Sequence, residues 1–296
     1  MKRYLSLFLT VMMLVSLCAC TKGSDAQTGH IDIFDSYRYA DGGVLLPEGA
    51  VLSGMNGQGE PPEYRIDDVT ALEAYDTAAE QAGYTVERMT YFTLLYRDNE
   101  YLFLSLGSGD GNASLTCYCG REPSAGGLSR EQARDAIDPD SPLLPIDVSP
   151  EGLFEKTGGQ IFMLPLYSFD YYRGLYGEDS GVLDCPENKY YLARFCYVRG
   201  DEVIALDMPA LAFADLDGDG VRETVRLGYG PTSGIFSYTV TAYRGGQVIA
   251  VGVFDGQSGW GTLSFAEKDG SLYVRYSEQL SRVALQDAKV ILTPDP

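Results

Sequence analysis

The sequence predicts an α+β segment followed by a mostly antiparallel β domain built as a sandwich, small barrel or propeller-like sheet, and three observations carry that prediction. A helical apolar stripe precedes aromatic-rich runs in the first half of the chain. Pro139, Pro142, Pro145 and Pro150 then crowd a short stretch that suits neither a helix nor a central strand. Beyond them the chain is a succession of short β-branched and aromatic runs separated by turn residues.

The helical stripe spans Asp68 to Ala82, with Val69, Leu72, Tyr75, Ala79 and Ala82 on one face, acidic residues at the start and Gly83 as the stop. Runs over 84–96, 100–106 and 113–119 follow it, with Asp98-Asn99 as a turn, so a helix packed on an antiparallel sheet is expected. Ser129 followed three residues later by Gln132 has the spacing of a capping box and opens a second helix that must end before Pro139. In the second half, strands are expected over 160–167, 190–198, 202–206, 211–214, 223–229, 238–243, 248–254, 262–266, 272–276 and 283–292. Arg199-Gly200-Asp201, Gly245-Gly246 and Asp269-Gly270 mark the turns between neighbours. The chain divides accordingly into a signal over 1–19, a polar tether over 20–29, an α+β domain over 30–138, a proline-rich linker over 139–150 and a β-rich domain over 151–296.

The N-terminus carries an address. Lys2 and Arg3 precede an apolar run from Tyr4 to Ser16, and Leu17-Cys18-Ala19-Cys20 closes it with small residues. The apolar run is shorter than the ~20 residues a membrane helix needs. The tetrapeptide resembles the lipobox of bacterial lipoproteins, which implies that Cys20 is acylated on sulfur and becomes the first mature residue. The resemblance implies an exported protein held by lipid to the outer face of a bacterial membrane.

Charge narrows the partners. With 42 acidic against 22 basic side chains the net charge is −20, so the surface repels nucleic acid and anionic headgroups and attracts divalent cations. Membrane attachment therefore rests on acyl chains rather than on a basic patch. The single histidine, His30, lies beside the tether, which removes the usual Ser-His-Asp and Cys-His constellations and histidine zinc sites. No P-loop is present, and no GxGxxG stands between a strand and a helix, so nucleotide binding is not expected.

Once Cys18 leaves with the signal and Cys20 is assigned to lipid, Cys117, Cys119, Cys185 and Cys196 remain, and four thiols permit three pairings. An exported location allows disulfides, with Cys185 to Cys196 the preferred pair. Cys117 and Cys119 sit two apart in an expected strand and so share a face. Buried or bridged cysteine is the expected reading; a redox pair or a four-thiolate zinc site is the alternative, although the spacing does not follow a familiar zinc pattern.

One motif carries chemistry. In Asp215-Leu216-Asp217-Gly218-Asp219-Gly220-Val221-Arg222-Glu223, acidic side chains alternate along a glycine-containing loop, the arrangement hard cations use. The expected calcium ligands are Asp215, Asp217, Asp219, the carbonyl of Val221 and Glu223, and a structural Ca2+ is the expected cofactor. The window resembles the DxDGDGxxD/E loops of FG-GAP and VCBS-type repeats, with Glu at the last position, and that resemblance implies a strand-loop-strand setting. It departs from an EF-hand because Arg226 stands where the bidentate Glu would be. The alternative is an acidic turn that binds nothing, but four carboxylates in nine residues repel one another unless something relieves them.

Tyr171, Tyr172 and Tyr176, in the densest aromatic stretch, and Trp260 in a glycine-rich loop are candidates for a binding surface, since such rings are apolar on the face and hydrogen-bond at the edge. Core packing is the alternative. Two functional classes follow. One is a non-catalytic, calcium-stabilised lipoprotein that binds a protein, peptide or glycan; the other is a cell-surface carbohydrate-active or other hydrolase that relies on carboxylates alone.

Overall fold

The computed structural model describes residues 29–32, 44–54, 62–88, 92–106, 112–120, 124–150, 152–167, 191–206, 210–229, 237–255 and 263–295. These residues form four open antiparallel sheets and three helices. The strand orders are linear, so no barrel closes among the described residues, and that expectation is corrected.

The first sheet has six strands, in the order β2 (Val51–Gly54), β3 (Glu63–Ile66), β7 (Ala113–Cys119), β6 (Glu100–Leu106), β5 (Phe92–Arg97) and β4 (Thr85–Arg88). Helix α1 (Ala71–Gln81) packs on it through Tyr75 and Ala79. The β5–β6 turn falls at Asp98-Asn99 as expected, with Asp98 at φ 45° and Arg97 paired to Glu100. Asp98 tolerates this left-handed conformation because its short polar side chain can bond locally.

The second sheet runs β11 (Glu202–Leu206), β10 (Tyr191–Arg199), β9 (Gln160–Tyr167), β8 (Ile146–Asp147). Helix α2 (Arg130–Ile137) opens with the expected capping box between Ser129 and Gln132 and ends at Asp138, whose extended backbone suits a residue preceding proline. The third helix, α3 (Leu153–Thr157), is a single turn and a half before β9. The third sheet is five-stranded: β1 (Gly29–Asp32), β12 (Ala210–Ala214), β13 (Glu223–Tyr229), β14 (Ser237–Arg244), β15 (Gln247–Asp255). The fourth is the meander β16 (Leu263–Lys268), β17 (Ser271–Tyr276), β18 (Gln279–Gln286), β19 (Lys289–Pro294).

Strand alternation builds the cores. Tyr101 and Phe103 of β6 face a core shared with the second sheet, whereas Leu102 and Leu104 face α1. On β12, Leu211 and Phe213 join that same shared core, while Ala212 and Ala214, with Val225, Leu227 and Val240, share a core with Phe265 and Val274 of the fourth sheet. The third and fourth sheets therefore pack face to face.

The stretch 139–150, expected as a linker, is packed instead. Leu143, Ile146 and Val148 are buried in the shared core, and Ile146–Asp147 pairs with β9. Its prolines leave carbonyls that a ladder would not satisfy, and side chains supply the donors: Tyr101 Oη reaches the Leu144 carbonyl at 2.6 Å and Arg130 Nε the Pro145 carbonyl at 2.8 Å. Gly29, placed in the tether by the sequence, begins β1, which pairs antiparallel with β12.

A buried polar knot secures this segment. Gln160 Nε2 donates to Asp147 Oδ2 at 2.7 Å, Ser149 N to Asp147 Oδ1 at 2.9 Å, and Leu128 N to Gln160 Oε1 at 2.6 Å. Asp147 and Gln160 are 2% and 1% exposed. Truncating Gln160 strands a buried carboxylate oxygen and a backbone N–H together. Gln160→Ala is expected to lower unfolding stability by about 3 kcal/mol in urea titration, whereas Glu155→Ala on α3 stays within about 0.5 kcal/mol.

Candidate metal centre

Strands β12 and β13 form an antiparallel pair that closes at Ala214 and Glu223, so residues 215–222 are the connecting loop. This is the strand-loop-strand setting of the motif. Gly218 and Gly220 take φ values of 81° and 85°, which a side-chain-bearing residue adopts only at a cost. The loop is pinned from below by Leu216, which is buried against the third and fourth sheets and whose carbonyl accepts Leu285 N at 3.0 Å.

The acidic side chains fold the loop around themselves. Asp215 accepts Gly218 N at 2.7 Å and Gly220 N at 2.9 Å, one on each oxygen. Asp217 Oδ1 accepts Asp219 N at 3.2 Å, and Asp219 Oδ1 accepts Val221 N at 2.8 Å. Glu223, fully buried, accepts Leu216 N on Oε2 at 2.9 Å. One ligand oxygen from each of Asp215, Asp217 and Glu223 lies within 4.8 Å of the others. Two oxygens on one calcium, each about 2.4 Å from it, are separated by at most about 5 Å, so the triad has the dimensions and the all-oxygen character of a hard-cation site.

A residue that the sequence motif does not include completes the cluster. Arg244, at the end of β14, places Nη1 2.9 Å from Asp219 Oδ2, Nη2 3.2 Å from Asp217 Oδ2 and Nε 2.9 Å from Glu223 Oε1, and Nη2 also donates to Glu223. The bonds to Glu223, with the nearby Asp219 and Asp217 charges, raise the Arg244 pKa above its ordinary value. The Val221 amide first, and then the Arg244 charge, hold the Asp219 carboxyl below its ordinary value. A depressed carboxyl stabilises the fold above the ordinary Asp range, and that contribution is lost as acid protonates it. Arg244 lies 21 residues from Glu223 in sequence, and only the β13–β14 register brings the two together. The one clue in the sequence is indirect: four carboxylates in nine residues need a counter-charge.

Arg226, at the position where an EF-hand would have its bidentate Glu, points elsewhere, donating to the Ala205 carbonyl at 2.7 Å and lying 5.9 Å from the Tyr243 ring centroid. Cys117 and Cys119 share one face of β7, as expected; Cys117 is buried and Cys119 half-buried. Burial pushes the two free thiols up to about 12 and about 11, so neither resembles an activated redox cysteine. Cys196 is buried in β10 beside α2, and Cys185 lies outside the described residues. Cys20, Tyr171, Tyr172, Tyr176 and Trp260 also lie outside them.

No protein-family model, curated protein or solved structure matches the chain.

Two outcomes follow from the geometry. In calcium-free buffer Glu223→Ala leaves Leu216 N without its acceptor and Arg244 without its main partner, and is expected to cost about 3 kcal/mol in chemical denaturation; Glu223→Gln, which keeps an acceptor, costs less. Because burial raises both thiols well above their ordinary value, folded protein at pH 8 is expected to react with iodoacetamide at Cys119 and Cys117 about 100-fold more slowly than unfolded protein, read by peptide mass spectrometry.

Proposed function

We propose that this chain is a non-catalytic surface lipoprotein, tethered through acylated Cys20 to the outer face of a bacterial membrane. In this reading its β-rich part presents a binding or interaction surface for a protein, peptide or glycan, and a calcium ion steadies that part. The observation that supports the ion most directly is the convergence of Asp215, Asp217 and Glu223 in an all-oxygen loop. The full proposed ligand set is Asp215, Asp217, Asp219, the Val221 carbonyl and Glu223. When bound, calcium would supply a multivalent cross-link between the two ends of the loop and no chemistry of its own.

The engagement of the buried carboxylates supports binding over hydrolysis. Asp147 is held by Gln160 and Ser149; Glu202 by Arg199 at 2.6 Å and Thr224 at 3.4 Å; Glu223 by Leu216 and Arg244. These acids stabilise the fold, whereas a carboxylate hydrolase sets two acids on either side of a substrate cleft. A cavity of about 320 Å³ between the ends of β2, β3, β6 and β7 is lined by Ser53, Arg65, Ser105 and Asn112, with Glu63 the single carboxylate among the described residues that line it.

Calorimetric titration of calcium into the full chain in detergent tests the ion. The wild type is expected to bind one calcium and to melt several degrees higher at 100-fold excess over Kd, a stabilisation of about 2.7 kcal/mol, while Asp217→Ala loses both effects. Absence of heat and of any melting shift in the wild type would remove calcium from the proposal. Labelled palmitate entering the wild type but not Cys20→Ser, with both recovered from the native host, tests the anchor; equal labelling would refute it.

A further inference from the structure

We propose that Arg244 is a built-in competitor for the cation: its guanidinium holds the acidic loop together when calcium is scarce and must leave Asp217 and Glu223 when calcium enters. This inference rests on the calcium reading above and concerns how that site is regulated. Four carboxylates within nine residues need a counter-charge, and the fold already provides one. Arg244 contacts three of the four acids, and two of those, Asp217 and Glu223, belong to the convergent triad. The opposite oxygens of Asp217 and Glu223 each accept a backbone N–H, from Asp219 at 3.2 Å and Leu216 at 2.9 Å. An ion seated among these groups therefore takes the oxygens the arginine now uses, and a divalent charge beside a guanidinium repels it.

The side chain can leave. Arg244 is about one third exposed, at 36%, so a rotation of its stem carries the charged end into water at modest cost. Its backbone immediately precedes the Gly245-Gly246 turn, with φ values of 57° and 77°. A Cβ at Gly246 would sit 3.1 Å from Glu202 Cα, so the turn rests closely on the β10–β11 hairpin. Exchange of guanidinium for calcium thus alters the contact that ties the acidic loop to the end of β14.

The test is a calcium titration of chelator-treated full chain in detergent, comparing wild type, Arg244→Ala, Arg244→Lys and the exposed control Arg275→Ala on β17. Arg244→Ala is expected to bind calcium at least ten-fold tighter than wild type, to melt lower than wild type without calcium and to regain that loss with it. Arg244→Lys, which keeps the charge but loses the fork, is expected to bind at an intermediate affinity, and Arg275→Ala to match wild type. Hydrogen exchange of the amides at 243–247 in wild type is expected to quicken when calcium is added. Should wild type bind calcium while Arg244→Ala binds equally or more weakly, the competition is refuted and the calcium site stands. Should Arg244→Ala fail to fold, Arg244→Lys binding no tighter than wild type refutes the competition in the same way. If none of the four binds calcium, the calcium site itself is refuted and the competition with it.

Discussion

A β-strand sends successive side chains to opposite faces, and the architecture of this protein depends on central strands that bury both faces in different cores. On β6 the odd positions Tyr101 and Phe103 enter the core shared with the second sheet, and the even positions Leu102 and Leu104 enter the core under α1. On β12 the same alternation separates Leu211 and Phe213 from Ala212 and Ala214. The small alanines let the fourth sheet approach, while the larger side chains fill the space toward the second sheet. A register slip of one residue in either strand would exchange these sets and unmake two interfaces at once.

Layers stacked in this way bury backbone and acidic groups far from water, and the protein satisfies them individually. The proline-rich stretch illustrates the rule. Residues 139–150 lack several N–H donors, so the segment cannot extend a sheet through its own backbone for long. It is held instead by Tyr101 and Arg130 reaching its carbonyls and by the Asp147–Gln160 pair beneath it. Ser149 Oγ accepts Ile161 N at 2.8 Å, continuing the β9 edge with a side chain where the ladder ends. Prolines that read as a domain border thus mark a buried segment whose carbonyls accept side-chain donors from its neighbours.

The acidic loop applies the same rule to charge. Backbone amides within the loop take one oxygen of each carboxylate, or both in Asp215, and Arg244 takes those directed inward from Asp217, Asp219 and Glu223. The loop's fold therefore depends on one arginine, and in the proposed calcium reading so does its affinity for the ion. Removing charge repulsion and binding a metal are alternative ways of satisfying the same oxygens. In the observed geometry the guanidinium satisfies them.

Much of this was legible locally. The capping box at Ser129 and Gln132, the Asp98-Asn99 turn and the strands over 100–106, 113–119, 202–206 and 223–229 were all readable, because each depends on neighbours a few residues away. So was the strand-loop-strand frame of the acidic motif, whose glycines and alternating acids determine their own turns. Short strands without a distinct pattern, β1, β8 and the edge strand β2, were not legible, since their pairing partners rather than their composition make them strands. Periodicity, caps, turns and the acidic character of one loop are written in the chain itself, for these arise from interactions within a few residues. That the proline stretch is core and that Arg244 sits among the acids emerges only once the sheets are assembled. Both follow from contacts between residues distant in the chain, whose energies no local pattern records.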